Sequence, residues 1–221
     1  MTGRKQEEAV RRRYLLLVVV GVLAMGVAIW TRGPRVARQV WHLVGVHQVE
    51  GHAETIRRAA DEQRIDPCLL AAMMYVESRG DPQAISNKGA LGLFQLMPSS
   101  AGDAARRLRL PAPTREALLS DPLLNARLAA SHLRWLIKND GPDLERVLVA
   151  YNAGRGRLQQ WERDAGGWRA WRAAHRSDSD ALAYAQQVLD FRERFQERGV
   201  IVPPRTPSSP SAAAPRAAKA G

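Results

Sequence analysis

Three short stretches of the chain place polar side chains where apolar ones dominate. Met73-Met74-Tyr75-Val76-Glu77-Ser78 closes an apolar run that begins at Leu69. A carboxyl at the end of a buried helix loses hydration, which disfavours its charged form and raises its pKa. A glutamic acid held neutral near neutral pH can protonate a leaving-group oxygen. Capping does not account for Glu77, because the macrodipole opposes a carboxylate at a helix C-terminus. The competing structural reading is a helix-terminal Glu turned to solvent or paired with Arg79.

The second stretch, Gly89-Ala90-Leu91-Gly92-Leu93-Phe94-Gln95-Leu96-Met97-Pro98, sets two glycines and a glutamine in a largely apolar, non-helical segment. Glycine lets a ligand or another backbone approach closely, and Gln95 offers two donors and an acceptor. Taken alone, a tight structural turn with an exposed Gln explains it better. The third stretch is Ala150-Tyr151-Asn152-Ala153-Gly154. Gly154 suits the residue just past a helix end, but that role leaves Tyr151 and Asn152 unexplained. Cys68 follows Pro67 in the apolar run and reads as a buried, inert thiol; as the only cysteine it cannot form an internal disulfide. The five histidines are scattered, and solvated or helix-surface roles suffice for them.

Helices must position these groups. The chain is rich in Arg and Ala and poor in Phe and Tyr, which favours helix over strand. Patterning predicts a helix over 52–64, with Ile56, Ala59, Ala60 and Gln63 on one face. Asp66 is a good N-cap and Pro67 fits a first helical position, so a second helix opens there and ends in Ser78-Arg79-Gly80-Asp81-Pro82. Residues 83–97 read as a loop, with room for a short hairpin around 89–96. Further helices are predicted from Pro98 to about Leu108, from Pro122 to Lys138 behind the Asp121 cap, from Asp143 to about Asn152, over 157–163 and over 181–198. Pro111 and Pro113 mark a loop.

The charge of +11 is unevenly spread. Residues 1–13, 31–45 and 202–221 carry +3 each, and 46–201 only +2. A near-neutral folded part with basic ends argues against a nucleic-acid partner. The uncharged run Tyr14 to Trp30 follows Arg11, Arg12 and Arg13. At 1.5 Å per residue it reaches about 26 Å as a helix, near the lower limit for a bilayer core. Tyr14 and Trp30 bracket it as interfacial anchors do, and the arginines favour a cytoplasmic N-terminus. A cleaved signal peptide is the rival reading. The expected organisation is a basic cytoplasmic N-terminus (1–13), a transmembrane signal anchor or signal peptide (14–30), a linker (31–48), a catalytic domain (49–201) and a disordered Pro/Ala-rich tail (202–221).

Glu77-Ser78, Gly92-Leu93-Phe94-Gln95 and Ala150-Tyr151-Asn152-Ala153-Gly154 together resemble, in order and spacing, the signatures of soluble-lytic-transglycosylase (SLT) domains, glycoside hydrolase family 23, which are similar to goose-type lysozymes. AISNKGALGLFQLMP resembles the family's loop and SDPLLNARLAASHLRWLI its long helix; the resemblance covers about residues 50–195. Tyr184 matches a fourth element loosely, because alanines replace the acidic and valine neighbours common there. Phe94 stands where many relatives have Met, an apolar exchange expected beside the cleft.

The resemblance implies a mainly α, lysozyme-like fold with at most a small hairpin. It implies a bacterial peptidoglycan lytic transglycosylase that cleaves the MurNAc-GlcNAc β-1,4 bond and leaves 1,6-anhydro-MurNAc ends, with no cofactor and no metal. Glu77 would be the single acid/base. Ser78, Gln95, Phe94, Tyr151, Asn152 and Tyr184 would bind substrate, with Tyr184 hydrogen-bonded to Glu77. Expected partners are peptidoglycan glycan strands, the membrane through the N-terminal helix, and envelope-complex proteins. The expected location is the inner membrane, single-pass, with the catalytic domain in the periplasm. Two alternatives stay open: a non-catalytic peptidoglycan-binding module of a secretion or division assembly, and a goose-type lysozyme hydrolase.

Overall fold

The computed structural model describes residues 43–202. The expected basic N-terminus, the 14–30 anchor, most of the 31–48 linker and nearly all of the tail lie outside the described residues. Among the described residues, no helix is long and apolar enough to cross a membrane. Residues 43–47 are helical and belong to an N-terminal unit; the site lies in the unit that starts at Gln48.

Among the described residues, nine helices follow in that unit: α1 (Ala53–Gln63), α2 (Pro67–Ser78), α3 (Pro98–Leu108), α4 (Arg115–Ser120), α5 (Pro122–Asp140), α6 (Leu144–Ala153), α7 (Arg155–Ala165), α8 (Trp168–Ala174) and α9 (Asp180–Arg198). α2 is the central element. Asp66 caps it by accepting from the Cys68 amide at 2.9 Å, and Pro67 occupies its first turn, where a missing N–H costs nothing. Every residue from Cys68 to Tyr75 is buried, so neighbours cover the helix on all faces. α9 and α1 pack against it; α9 also packs against α6, and α5 against α1, α3 and α6. Leu70, Met73 and Met74 are fully buried, and truncating one to Ala would cost about 2–5 kcal/mol.

The helix ends at Arg79, in the left-handed region at φ 56°, whose amide returns to Tyr75 O at 2.9 Å. The chain then enters the 80–97 loop. A full hairpin does not form: two isolated antiparallel bridges, Ile85 to Leu91 and Leu91 to Leu96, take its place. Leu91, Leu93, Phe94 and Leu96 turn inward. Asn125 of α5, fully buried, pins the loop. Its Nδ2 donates to Leu91 O (3.1 Å) and Leu118 O (3.0 Å), and its Oδ1 accepts from the Phe94 amide (3.1 Å). Gly92 serves this contact rather than a ligand: at φ 72°, a Cβ there would meet Asn125 Nδ2 at 2.5 Å.

The predicted helices appear with ends shifted by at most two residues. α4 and α8 were not expected. α4 is short and sits between prolines and the Asp121 cap; Thr114 caps it by accepting from the Ala117 amide. α8 follows Gly166-Gly167 and is mostly Trp, Arg and Ala, which hides its periodicity.

Candidate active site

A cleft of about 1150 Å³ runs past the end of α2, bounded by the 86–97 loop, the start of α3, α5, α6, α7, α8 and the start of α9. Glu77 opens into it from the last turn of α2. The Tyr184 hydroxyl, one turn into α9, donates to Glu77 Oε1 at 2.7 Å. Glu77 is in no ion pair among the described residues, so the pairing with Arg79 does not form. Oε2 has no partner among the described residues, yet no buried side-chain oxygen or nitrogen among them lacks one. Oε2 is therefore the oxygen open to the cleft. Burial pushes the Glu77 carboxyl up from the ordinary 4.5 to about 7, against the lowering effect of the Tyr184 hydrogen bond. Burial first, and the Glu77 charge second, hold the Tyr151 and Tyr184 hydroxyls well above 10, so both remain donors.

Tyr151, near the end of α6, donates to Phe94 O at 3.1 Å and lines the cleft. Asn152, beside it, is exposed and lines the cleft without a side-chain partner among the described residues. Gln95 sits at φ 46°, an uncommon position for a non-glycine residue. Its Nε2 donates to Ala84 O (3.1 Å) and Gly92 O (3.0 Å), which ties the amide to its own loop and leaves Oε1 for a ligand. Glu77, Gln95, Tyr151 and Asn152 thus meet in one cleft, with Tyr184 directly behind the acid.

Two expected site residues have other duties. The Ser78 hydroxyl meets Leu93 O at 2.8 Å and Met74 O at 3.3 Å, and it accepts from the Gly80 amide. It fastens the loop to α2 and does not line the cleft. The expectation that Phe94 lies beside the cleft as a substrate contact is corrected: its side chain is fully buried. A ring with no surface cannot touch a glycan; only its backbone, through Tyr151 and Asn125, shapes the site.

The cleft also holds residues that sequence reasoning missed. His132 of α5 faces it, against the expectation that solvated roles suffice for the histidines. Arg157, Trp161 and Asp164 form one face of α7, at i, i+4 and i+7. Trp171 stacks on Trp161 at 5.0 Å and on His175 at 5.2 Å. Trp168, Trp171 and His175 recur at i, i+3 and i+7, a helical spacing masked by the Arg and Ala between them. Asp178 and Asp180 line the same cleft, so Glu77 is not its only carboxyl group.

The model of the Transglycosylase SLT domain family matches residues 54–173. The soluble lytic murein transglycosylase of Escherichia coli (strain K12) is 26% identical over 166 residues, which cover 75% of this chain and 24% of that protein. The membrane-bound lytic murein transglycosylase E of Buchnera aphidicola subsp. Acyrthosiphon pisum is 34% identical over 113 residues, covering 48% of this chain and 51% of the relative. Among solved structures, an inactive mutant of lytic transglycosylase Slt from Pseudomonas aeruginosa aligns with a TM-score of 0.59 at 28% identity, over 67% of this chain and 24% of that one. The 70-kDa soluble lytic transglycosylase in complex with bulgecin A aligns at 0.59 and 26%, over 66% and 24%. The chain therefore spans about a quarter of the length of the soluble relative and about half that of the Buchnera one.

Proposed function

The chain belongs to the transglycosylase SLT domain family, and from that premise we propose that it is a peptidoglycan lytic transglycosylase with Glu77 as its single acid/base. The observation that carries this reading is a carboxyl whose pKa is raised to about 7, with one oxygen held by Tyr184 and the other open to a large cleft. The names of the relatives supply the substrate class, murein.

Glu77 begins protonated. Its proton passes to the glycosidic oxygen between N-acetylmuramic acid and N-acetylglucosamine as the bond from C1 breaks. The resulting carboxylate takes the proton of the sugar's own 6-hydroxyl while O6 bonds to C1. A 1,6-anhydro ring closes, the leaving sugar keeps the first proton, and Glu77 is again protonated. No water is consumed. Tyr184 suits both halves: its O–H supports the transient carboxylate without supplying a cation that would ionise the acid beforehand. Gln95 Oε1 and Asn152 would bind the sugars' amide and hydroxyl groups, and Tyr151 would fix the wall between them.

Hydrolysis is the second reading, favoured by Asp164, Asp178 and Asp180 in the cleft, since glycosidases usually work with two carboxyl groups. Digestion of purified sacculi by the wild type and by Glu77→Gln, read by mass spectrometry, separates the two. Anhydro ends that vanish in the variant are expected. Hydrated ends would replace the transglycosylase by a hydrolase, and unchanged digestion by Glu77→Gln would remove Glu77 from the role. Binding to peptidoglycan without clearing it in a zymogram would instead indicate a binding module.

The proposal extends to a single-pass inner-membrane protein with its catalytic unit in the periplasm. The Tyr14 to Trp30 run and its flanking arginines support this, and the Buchnera relative is named as membrane-bound. Mass analysis of the mature N-terminus tests it: loss of the first 24–30 residues would replace the anchor by a cleaved signal.

A further inference from the structure

The cleft contains an imidazole that the proposed chemistry does not use. His132 projects from α5 into the same space as Glu77 and Tyr151. Its ring lies tilted on Tyr151, centroids 5.5 Å apart, and stacks on Trp135 at 6.0 Å. Its Nδ1 is 3.4 Å from Nη2 of Arg107 on α3. Arg107 is itself held over the Trp135 ring, 5.2 Å from its centroid.

A guanidinium has donors only. The nitrogen facing it must accept, so the single proton of a neutral imidazole sits on Nε2. That Nε2 has no partner among the described residues, and no buried side-chain nitrogen among them is left unpaired. Nε2–H is therefore reachable from the cleft. We infer that His132, locked in the Nε2–H form by Arg107, is a neutral hydrogen-bond donor that holds an uncharged acceptor oxygen of the glycan, an acetamido carbonyl or a hydroxyl, so that the glycosidic oxygen lies within reach of the Glu77 proton. This rests on the glycan-cleaving reading of the same cleft.

Neutrality has a purpose at this location. The groups facing the ring are Arg107 and Asp103 from α3, Tyr151 from α6 and Trp135 on its own helix, with Glu77 sharing the cleft. Burial, then Arg107, push the imidazole down from 6.5 to about 4, with Asp103 opposing them. A charged imidazole would favour the Glu77 carboxylate and strip the acid of its proton. A neutral N–H supplies a directed hydrogen bond without that field.

The test uses three variants of the full chain: His132→Phe keeps a ring and removes the donor, His132→Gln restores an N–H donor, and Arg107→Gln removes the lock. We expect His132→Phe to raise KM on soluble glycan strands, and to weaken binding of the N-acetylglucosamine tetramer by the Glu77→Gln protein, by roughly five- to tenfold, with smaller changes in kcat. His132→Gln should recover much of both. Nitrogen-15 NMR of the wild type should show a neutral ring with its proton on Nε2 at pH 5.5, and Arg107→Gln should return its titration toward 6.5. Unchanged tetramer affinity in His132→Phe, or a proton found on Nδ1, overturns the inference. A wild type that binds the tetramer but cuts no sacculi overturns the cleavage reading and leaves the donor assignment standing.

Discussion

Glu77 and Asp140 are carboxyl groups at the same kind of address. Glu77 sits in the last turn of α2 and Asp140 is the last residue of α5, so both face the negative end of a helix dipole. The Asp140 side chain is 1% exposed, and it is given cations: Arg155 Nε at 2.9 and 3.1 Å and Arg146 Nη1 at 3.5 Å. Arg146 in turn bridges to Glu162 at 2.5 and 2.7 Å. Glu77 receives one phenol and no cation. A buried carboxylate with guanidinium partners is a joint between α5, α6 and α7. One with only a hydroxyl partner stays protonated to about pH 7 and becomes a proton source. Withholding a cation, rather than burial alone, separates the proposed acid from the structural carboxyl.

Replacing each acid should break the contrast in opposite directions. Glu77→Gln should lower sacculus digestion by about 10²- to 10⁴-fold, measured by release of soluble fragments. The same variant should gain stability at alkaline pH. The Glu77 pKa is higher in the folded than in the unfolded chain, so its stabilising effect is complete below about 4.5 and is lost as pH rises through about 7. Urea titrations at pH 5 and pH 9 should show the variant ahead by up to about 3 kcal/mol more at the higher pH. A wild type and variant with parallel pH–stability curves would remove the raised pKa.

Asp140→Asn should cost about 2–3 kcal/mol in the same titrations, because Arg146 and Arg155 lose their shared counter-charge. Digestion per folded molecule should hold. Tyr184→Phe removes the one group that favours the ionised form of Glu77. The alkaline limb of the pH–rate profile should move upward, while the rate at its plateau falls roughly tenfold as the transient carboxylate loses its donor. A limb moving downward would mean that Tyr184 acts on Glu77 in another way. Glu145→Ala, which releases the exposed Arg172, should change stability by less than about 1 kcal/mol, and by less still in high salt.

Much of this contrast was legible at short range. Asp66-Pro67, Asp121-Pro122 and Asp143 announced their helices because a cap is a contact between a side chain and an amide two or three residues away. Glu77 stood out because its own helix is apolar on every face. α8 escaped because two glycines precede it and its apolar face is made of Trp and His rather than aliphatic residues. Phe94 was placed beside the cleft on a resemblance, and packing buried it. His132 carries no local signal, because it is a single histidine in a mostly apolar helix, far in sequence from the other four.

The chain's own order of residues determined that a carboxyl would end a buried helix, that a Gly-rich loop would carry Gln95, and that Tyr151-Asn152 would end another helix. These are properties of spacing and of neighbours within a turn or two. Which partner each group meets was decided only by tertiary packing. Tyr184 is 107 residues from Glu77, Arg107 is 25 from His132, and Asn125 is 31 from the Phe94 amide it holds. A pKa, a tautomer and a buried ring depend on what lies within a few ångströms in space, and distance along the chain carries almost none of that information.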